Sequence, residues 1–170
     1  MTEPLFLDSL EIRHFRAFEH LRVEKLGRVN LIVGKNNVGK SSLLEAIWLF
    51  AYRGHPSIVW KILEGRDEGR GPESSSQLRF GQKEEIGIEE YVDSVKQLFH
   101  RGSNEIQGYY PLQIGPVGQP DGALKVALSD EADSQTRIQV PRIKTHNNGR
   151  TLLFDVNVGT YRLQEGQYRS

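Results

Sequence analysis

There is no cysteine among the 170 residues. Disulfides and thiolate metal sites are therefore excluded, and a reducing compartment fits. No apolar stretch approaches the roughly 20 residues that a membrane-spanning helix needs. The start, Met1-Thr2-Glu3-Pro4, lacks the basic segment and apolar core of a secretory signal. A cytoplasmic protein with no membrane partner is the expectation. Charge of one sign is lacking too: 22 basic and 22 acidic residues give a net charge of zero. Overall charge thus gives no argument for nucleic acid. No serine sits in G-x-S-x-G, so nucleophilic hydrolysis has no support. No N-K-x-D reads a guanine base. The five histidines are scattered, without metal-ligand spacing. There is no internal repeat.

Against these absences stands Gly34-Lys35-Asn36-Asn37-Val38-Gly39-Lys40-Ser41. It fits G-x-x-x-x-G-K-S/T at every fixed position. Inward-turned backbone N–H groups can surround a polyphosphate, and the positive end of a following helix adds attraction. Gly34 and Gly39 are expected to take positive φ and keep side chains clear of the phosphates. Lys40 would reach the β- and γ-phosphates. Ser41 would place its hydroxyl on Mg²⁺. Lys35, Asn36, Asn37 and Val38 would shape the loop and donate amides, and Ser42 is a further candidate contact. The cofactors expected are ATP and Mg²⁺. A ligand-free Gly-rich turn is the plain alternative.

The flanking sequence sets the motif in an α/β frame. Arg28 to Val33 is a short apolar run with β-branched residues and reads as a buried strand. Lys40 to Tyr52 reads as a helix, with Leu44, Ile47, Trp48 and Ala51 forming the face turned to a sheet. Earlier, Leu7 to Phe18 alternates, with Leu10, Ile12 and His14 on one face and Glu11, Arg13 and Phe15 on the other. Phe18-Glu19-His20 reads as a turn into a strand at Leu21 to Leu26. Later, Ser57 to Leu63 reads as a short helix and Gly65 to Ser76 as a mobile surface loop. Glu84 to His100 has apolar residues at helical spacing, and Tyr109 to Ile114 is a strand candidate. Strands are expected at Ala123 to Ser129, Thr136 to Lys144 and Thr151 to Val158. His146-Asn147-Asn148-Gly149 would be a hairpin turn in this antiparallel meander.

Leu10-Glu11-Ile12-Arg13-His14-Phe15-Arg16-Ala17-Phe18, followed by Val29 to Ile47, resembles the ABC-type ATPase heads of the RecF, SMC and OLD-like (AAA-labelled) P-loop ATPases. The resemblance covers about the first third of the chain. It implies an α/β P-loop NTPase fold, here an ABC-ATPase-like lobe with N-terminal strands, a Walker A loop with its helix and the meander. It implies Mg²⁺-dependent ATP binding and hydrolysis, work on DNA in repair or phage defence, and a homodimer or a complementary ATPase lobe. It also implies that Arg16, matching the arginine of "F-R-x-F", lies near the nucleotide. An exposed strand arginine is the alternative. Phe15 and Phe18 read as packing residues rather than an adenine platform.

Such heads complete their site with a glutamine loop, an L-S-G-G-like signature, an Asp-Glu strand and a switch histidine. No signature and no Asp-Glu pair after an apolar run occurs here. Asp155, after Leu152-Leu153-Phe154, is a weak match for the Mg²⁺ acid, and Gln135 and Gln139 for the glutamine. The expectation is one incomplete head lobe: strands, P-loop and helix over 1–64, a mobile loop over 65–83, then a helix and strands over 84–170. A non-catalytic nucleotide-sensing or protein-interaction module that keeps the P-loop as scaffold is the other reading.

Overall fold

The computed structural model describes residues 6–69, 88–100, 111–129, 142–147 and 150–155. Among these residues, six strands form one antiparallel sheet in the order β2-β1-β3-β4-β5-β6. They are β1 (Leu10–Phe15), β2 (Phe18–Val23), β3 (Leu112–Gly115), β4 (Leu124–Ser129), β5 (Arg142–Asn147) and β6 (Arg150–Asp155). Among the described residues three helices, α1 (Lys40–Ala51), α2 (Pro56–Glu64) and α3 (Ile88–Lys96), come between the first hairpin and β3.

Period-2 alternation sends Leu10 and Ile12 of β1, Leu112 and Ile114 of β3, Leu124 and Val126 of β4 and Ile143 of β5 into one core. Ala46, Leu49 and Phe50 of α1, five apolar residues of α2 (Ile58, Val59, Trp60, Ile62, Leu63), and Tyr91 and Val95 of α3 join it. Gly115 lets the turn after β3 close tightly, since a Cβ there would lie 2.6 Å from the Ala123 backbone.

The first hairpin differs from its expected form in two ways. Its turn is Arg16–Ala17, with Phe15 paired to Phe18, so Phe18-Glu19-His20 already belongs to β2. Phe15, expected beside Glu11 and Arg13, is fully buried. His14 has φ +55, and this left-handed residue breaks the alternation. An isolated bridge joins Phe15 to Phe99 beyond α3, and the Arg16 amide donates to Leu98 O at 2.9 Å.

The expected helix from Lys40 holds to within one residue of its end: α1 stops at Ala51, and Arg53 and Gly54 follow with φ +54 and +71. Its buried face does not match. Leu44 is 59% exposed and Trp48 38%, whereas Ala46 and Leu49 are fully buried. A helix packed on one side only must choose one stripe, and the sheet takes the stripe of Ser42, Ala46, Leu49 and Phe50. Helix α2 begins with Pro56, behind His55, whose ring nitrogen accepts from the Ser57 amide. The expected helix of 84–100 is α3, its last apolar pair, Leu98 and Phe99, lying buried just beyond; positions 84–87 lie outside the described residues.

The meander matches in kind. Asn147 pairs with Arg150, the register of a two-residue hairpin connection. Positions 109–110, 136–141 and 156–158 of the expected strands lie outside the described residues, as do 70–76 of the expected loop.

On the outer face, Arg13 Nη2 donates to Glu11 Oε1 at 2.7 Å and His20 Nε2 lies 2.8 Å from the same oxygen. The Arg13 hydrogen bond, and then the His20 contact, hold the Glu11 carboxyl below its ordinary 4.5, against the opposing effect of burial. A depressed carboxyl stabilises the fold above the unfolded-state value and loses that contribution as pH falls through the folded value. The stability advantage of the wild type over Glu11→Gln is therefore expected to shrink as pH drops below about 4.5. Urea titrations at pH 7 and at successively lower pH check this; an advantage that grows on acidification would refute it.

Candidate phosphate-binding site

The segment 34–42 leads from an extended stretch into the first turn of α1. Asn36 and Asn37 make a turn, and Asn37 has φ +63. Gly39 follows at φ +96 and caps α1. This corrects the expectation for Gly34, whose φ is not positive; Asn37 takes the left-handed position instead. Gly34 matters for space, because a Cβ there would come within 2.9 Å of Val38 Cγ2. Gly39 is constrained twice. Its φ disfavours a side chain, and a Cβ would meet the Phe18 ring at 2.9 Å and Ala17 Cβ at 3.2 Å. The β1–β2 turn is thus wedged directly behind the loop.

Lys40 Nζ donates to Gly34 O at 2.7 Å and to Lys35 O at 2.6 Å. The ammonium therefore spans the loop from its last residue to its first. No side chain caps the N-terminus of α1, and its first turn holds no acid. Uncapped amides, the helix dipole and one cation meet at a single exposed place. Ser41 is exposed, while Ser42 is buried, its Oγ accepting from Arg66 at 3.4 Å. Among the described residues no group of three or more His, Cys, Asp or Glu could hold a metal. The donor set fits a polyphosphate, and toward Mg²⁺ it offers the Ser41 hydroxyl. A cleft of about 330 Å³ on the outer sheet face is lined by Glu11, Arg13 and the turn after β3, with no residue of the loop.

The expected strand before the loop is not formed. Val29, Leu31 and Val33 are 91%, 88% and 77% exposed. The run is irregular, and among the described residues no strand flanks it. Strand formation depends on neighbours that supply hydrogen bonds and cover the faces, so an apolar β-branched run without them stays unpaired. Leu44, Trp48 and Tyr52 continue this uncovered apolar surface along α1.

Arg16 sits in the β1–β2 turn with φ +48 and a side chain only 5% exposed. It is not an exposed strand arginine. Its Nε lies 2.9 Å from Glu45 Oε2 and its Nη1 2.7 Å from Glu68 Oε2. Arg66 Nε donates to Glu45 Oε1 at 2.7 Å. Part of the stretch expected to be a mobile loop is thereby drawn into a four-residue ionic cluster. Sequence reasoning missed Glu45, Arg66 and Glu68; Glu45, four residues after Ser41 on the helix the motif opens, was the one available signal. Asp155 lies in edge strand β6, separated from β1 by β3, β4 and β5. Gln135 and Gln139 lie outside the described residues.

The family described as AAA ATPase domain matches residues 6–148. The chain belongs to that family, whose members are ATP-binding, ATPase-like P-loop domains. Among its relatives, an uncharacterized protein of Methanocaldococcus jannaschii is 48% identical over 88% of this chain and 58% of its own length. An ATP/GTP phosphatase of Helicobacter pylori is 34% identical over 54% of the chain and 26% of its own length. The DNA replication and repair protein RecF of Listeria welshimeri is 36% identical over 39% of the chain and 20% of its own length. The chain thus spans between a fifth and three fifths of these relatives. No solved structure matches it. No helix among the described residues is long and apolar enough to cross a membrane.

Proposed function

We propose that this chain is the nucleotide-binding lobe of a RecF/SMC/OLD-like ATPase that holds ATP with Mg²⁺ in the loop 34–42. The observation that carries the reading is the Lys40 ammonium bonded to Gly34 O and Lys35 O beside an uncapped helix start. Gly34, Asn36, Asn37, Val38, Gly39, Lys40, Ser41 and Ser42 are the candidate contacts, with Ser41 offered to the metal. Phosphoryl transfer relies on positioning and charge stabilisation from several directions. Here one direction is furnished and the loop is otherwise open.

The uncovered run Val29–Val33 and the Leu44–Trp48–Tyr52 stripe supply a place for the rest. An extended segment with exposed apolar side chains that lies in no sheet among the described residues is suited to strand addition. The fitting partner is a complementary ATPase lobe that brings a strand alongside 29–33 and an apolar layer onto α1, with a second copy facing the loop as in a dimeric head. Action on DNA, in repair or phage defence, follows from the likeness to RecF and rests on that likeness alone.

Calorimetry with MgATP tests the reading: wild type binds and Lys40→Ala does not. If the wild type fails to bind, the lobe is a scaffold and the proposal fails. The chain alone is expected to turn over ATP far more slowly than once per second. A rate at or above that value, abolished in Lys40→Ala, would show that the chain already holds a complete catalytic site.

A further inference from the structure

We infer that Arg16 is a positioning residue of the phosphate loop, which acts through Glu45, Glu68 and Phe18 rather than by touching phosphate. The inference rests on the nucleotide-binding reading above and replaces a direct Arg16–phosphate contact with an indirect one.

Three observations converge. First, the guanidinium is buried and engaged. It lies between Glu45 and Glu68, and Arg66 holds the other Glu45 oxygen. Arg16 Nη2 is buried too, with no hydrogen-bond partner among the described residues. Second, the two acids join the helix that the loop opens to the segment that follows α2. Glu45 lies one turn beyond Ser41 on α1, and Ser42 on the same side accepts from Arg66. The cluster therefore grips the first half of the helix whose N-terminus faces the phosphates. Third, Arg16 is pinned at its backbone. Its amide donates to Leu98 O, its carbonyl lies 2.8 Å from His100 Nδ1, and its φ is +48. The residues that follow it, Ala17 and Phe18, press on Gly39. One residue thus joins the turn behind the loop to the helix in front of it.

Charged groups held in low dielectric lose their mutual support when one partner goes, and the elements they clamp become free to shift. Arg16→Ala and Glu68→Gln should loosen α1 against the β1–β2 turn. Misaligned amides would then bind any nucleotide less well, whatever its number of phosphates beyond two.

The test uses the full chain, with calorimetry for MgATP and MgADP and amide hydrogen exchange without nucleotide. Arg16→Ala and Glu68→Gln are each expected to weaken ATP and ADP by the same factor, about tenfold, as for other groups that orient a ligand-contacting element. Exchange over 34–42 should quicken while β1 and β3 keep their protection. Arg16→Lys should restore part of both. The inference is overturned if Arg16→Ala weakens ATP alone, if Glu68→Gln tightens ATP by freeing the guanidinium, or if exchange over 34–42 is unchanged. If the wild type binds neither nucleotide, the functional reading falls, and the exchange data alone decide whether Arg16 sets the loop.

Discussion

Lys40→Ala is expected to lower MgATP affinity by about two orders of magnitude or more while leaving the fold intact. The ammonium is held over the loop by bonds to Gly34 O and Lys35 O and is placed to donate to phosphate oxygens as well. Hydrogen bonds to charged groups contribute roughly 1.5–3 kcal/mol each. Two such bonds correspond to about 10² or more in affinity. The folded state loses little by comparison. Gly34 and Lys35 are exposed, so water can take over their carbonyls, and surface substitutions of this kind usually stay within about 0.5 kcal/mol. Titration with a fluorescent ATP analogue, paired with thermal melts of both proteins, separates the two effects. Equal affinities at equal stability would remove Lys40, and with it the loop, from nucleotide binding.

The parts of this fold that were legible in sequence are those decided locally. The start of helix α1 at Lys40 is one, because Gly39 just before it takes a φ of +96 that marks the boundary locally. Helix α2 is another, since Pro56 at its first turn and His55 before it are punctuation that needs no distant partner. The Asn147–Arg150 pairing follows from turn chemistry between alternating strands. What was not legible depended on distant residues. The run Arg28 to Val33 carries the composition of a buried strand, yet a strand exists only where another lies beside it. The face of α1 was misread because Leu43, Leu44, Ile47, Trp48, Leu49 and Phe50 nearly encircle the helix, so periodicity alone leaves two stripes open. Phe15 was assigned to the wrong face because nothing local announces φ +55 at His14. The Arg16 cluster joins positions 16, 45, 66 and 68, and no spacing rule connects them.

The ambiguity on α1 gives a matched pair of substitutions with opposite expectations. Leu49→Ala and Leu44→Ala delete the same atoms from the same helix, five residues apart. Leu49 is fully buried between the sheet and the other helices, whereas Leu44 is 59% exposed. Truncating a buried leucine costs about 2–5 kcal/mol, the transfer free energy of the lost methyl groups plus the cavity left behind. Against a total stability of about 5–15 kcal/mol, that is enough to bring the protein close to unfolding. Leu44→Ala removes apolar surface that water already reaches, and its cost should remain below about 1 kcal/mol. Urea unfolding of both variants should show a large fall in midpoint for Leu49→Ala only, with unchanged slope. The reverse order would mean that the Leu44–Trp48–Tyr52 stripe faces the core. Equal, large losses in both would mean that the stripe is already covered in solution, by a second copy of the chain. In that case the midpoint of the wild type should also rise with protein concentration, because association stabilises the folded form by mass action.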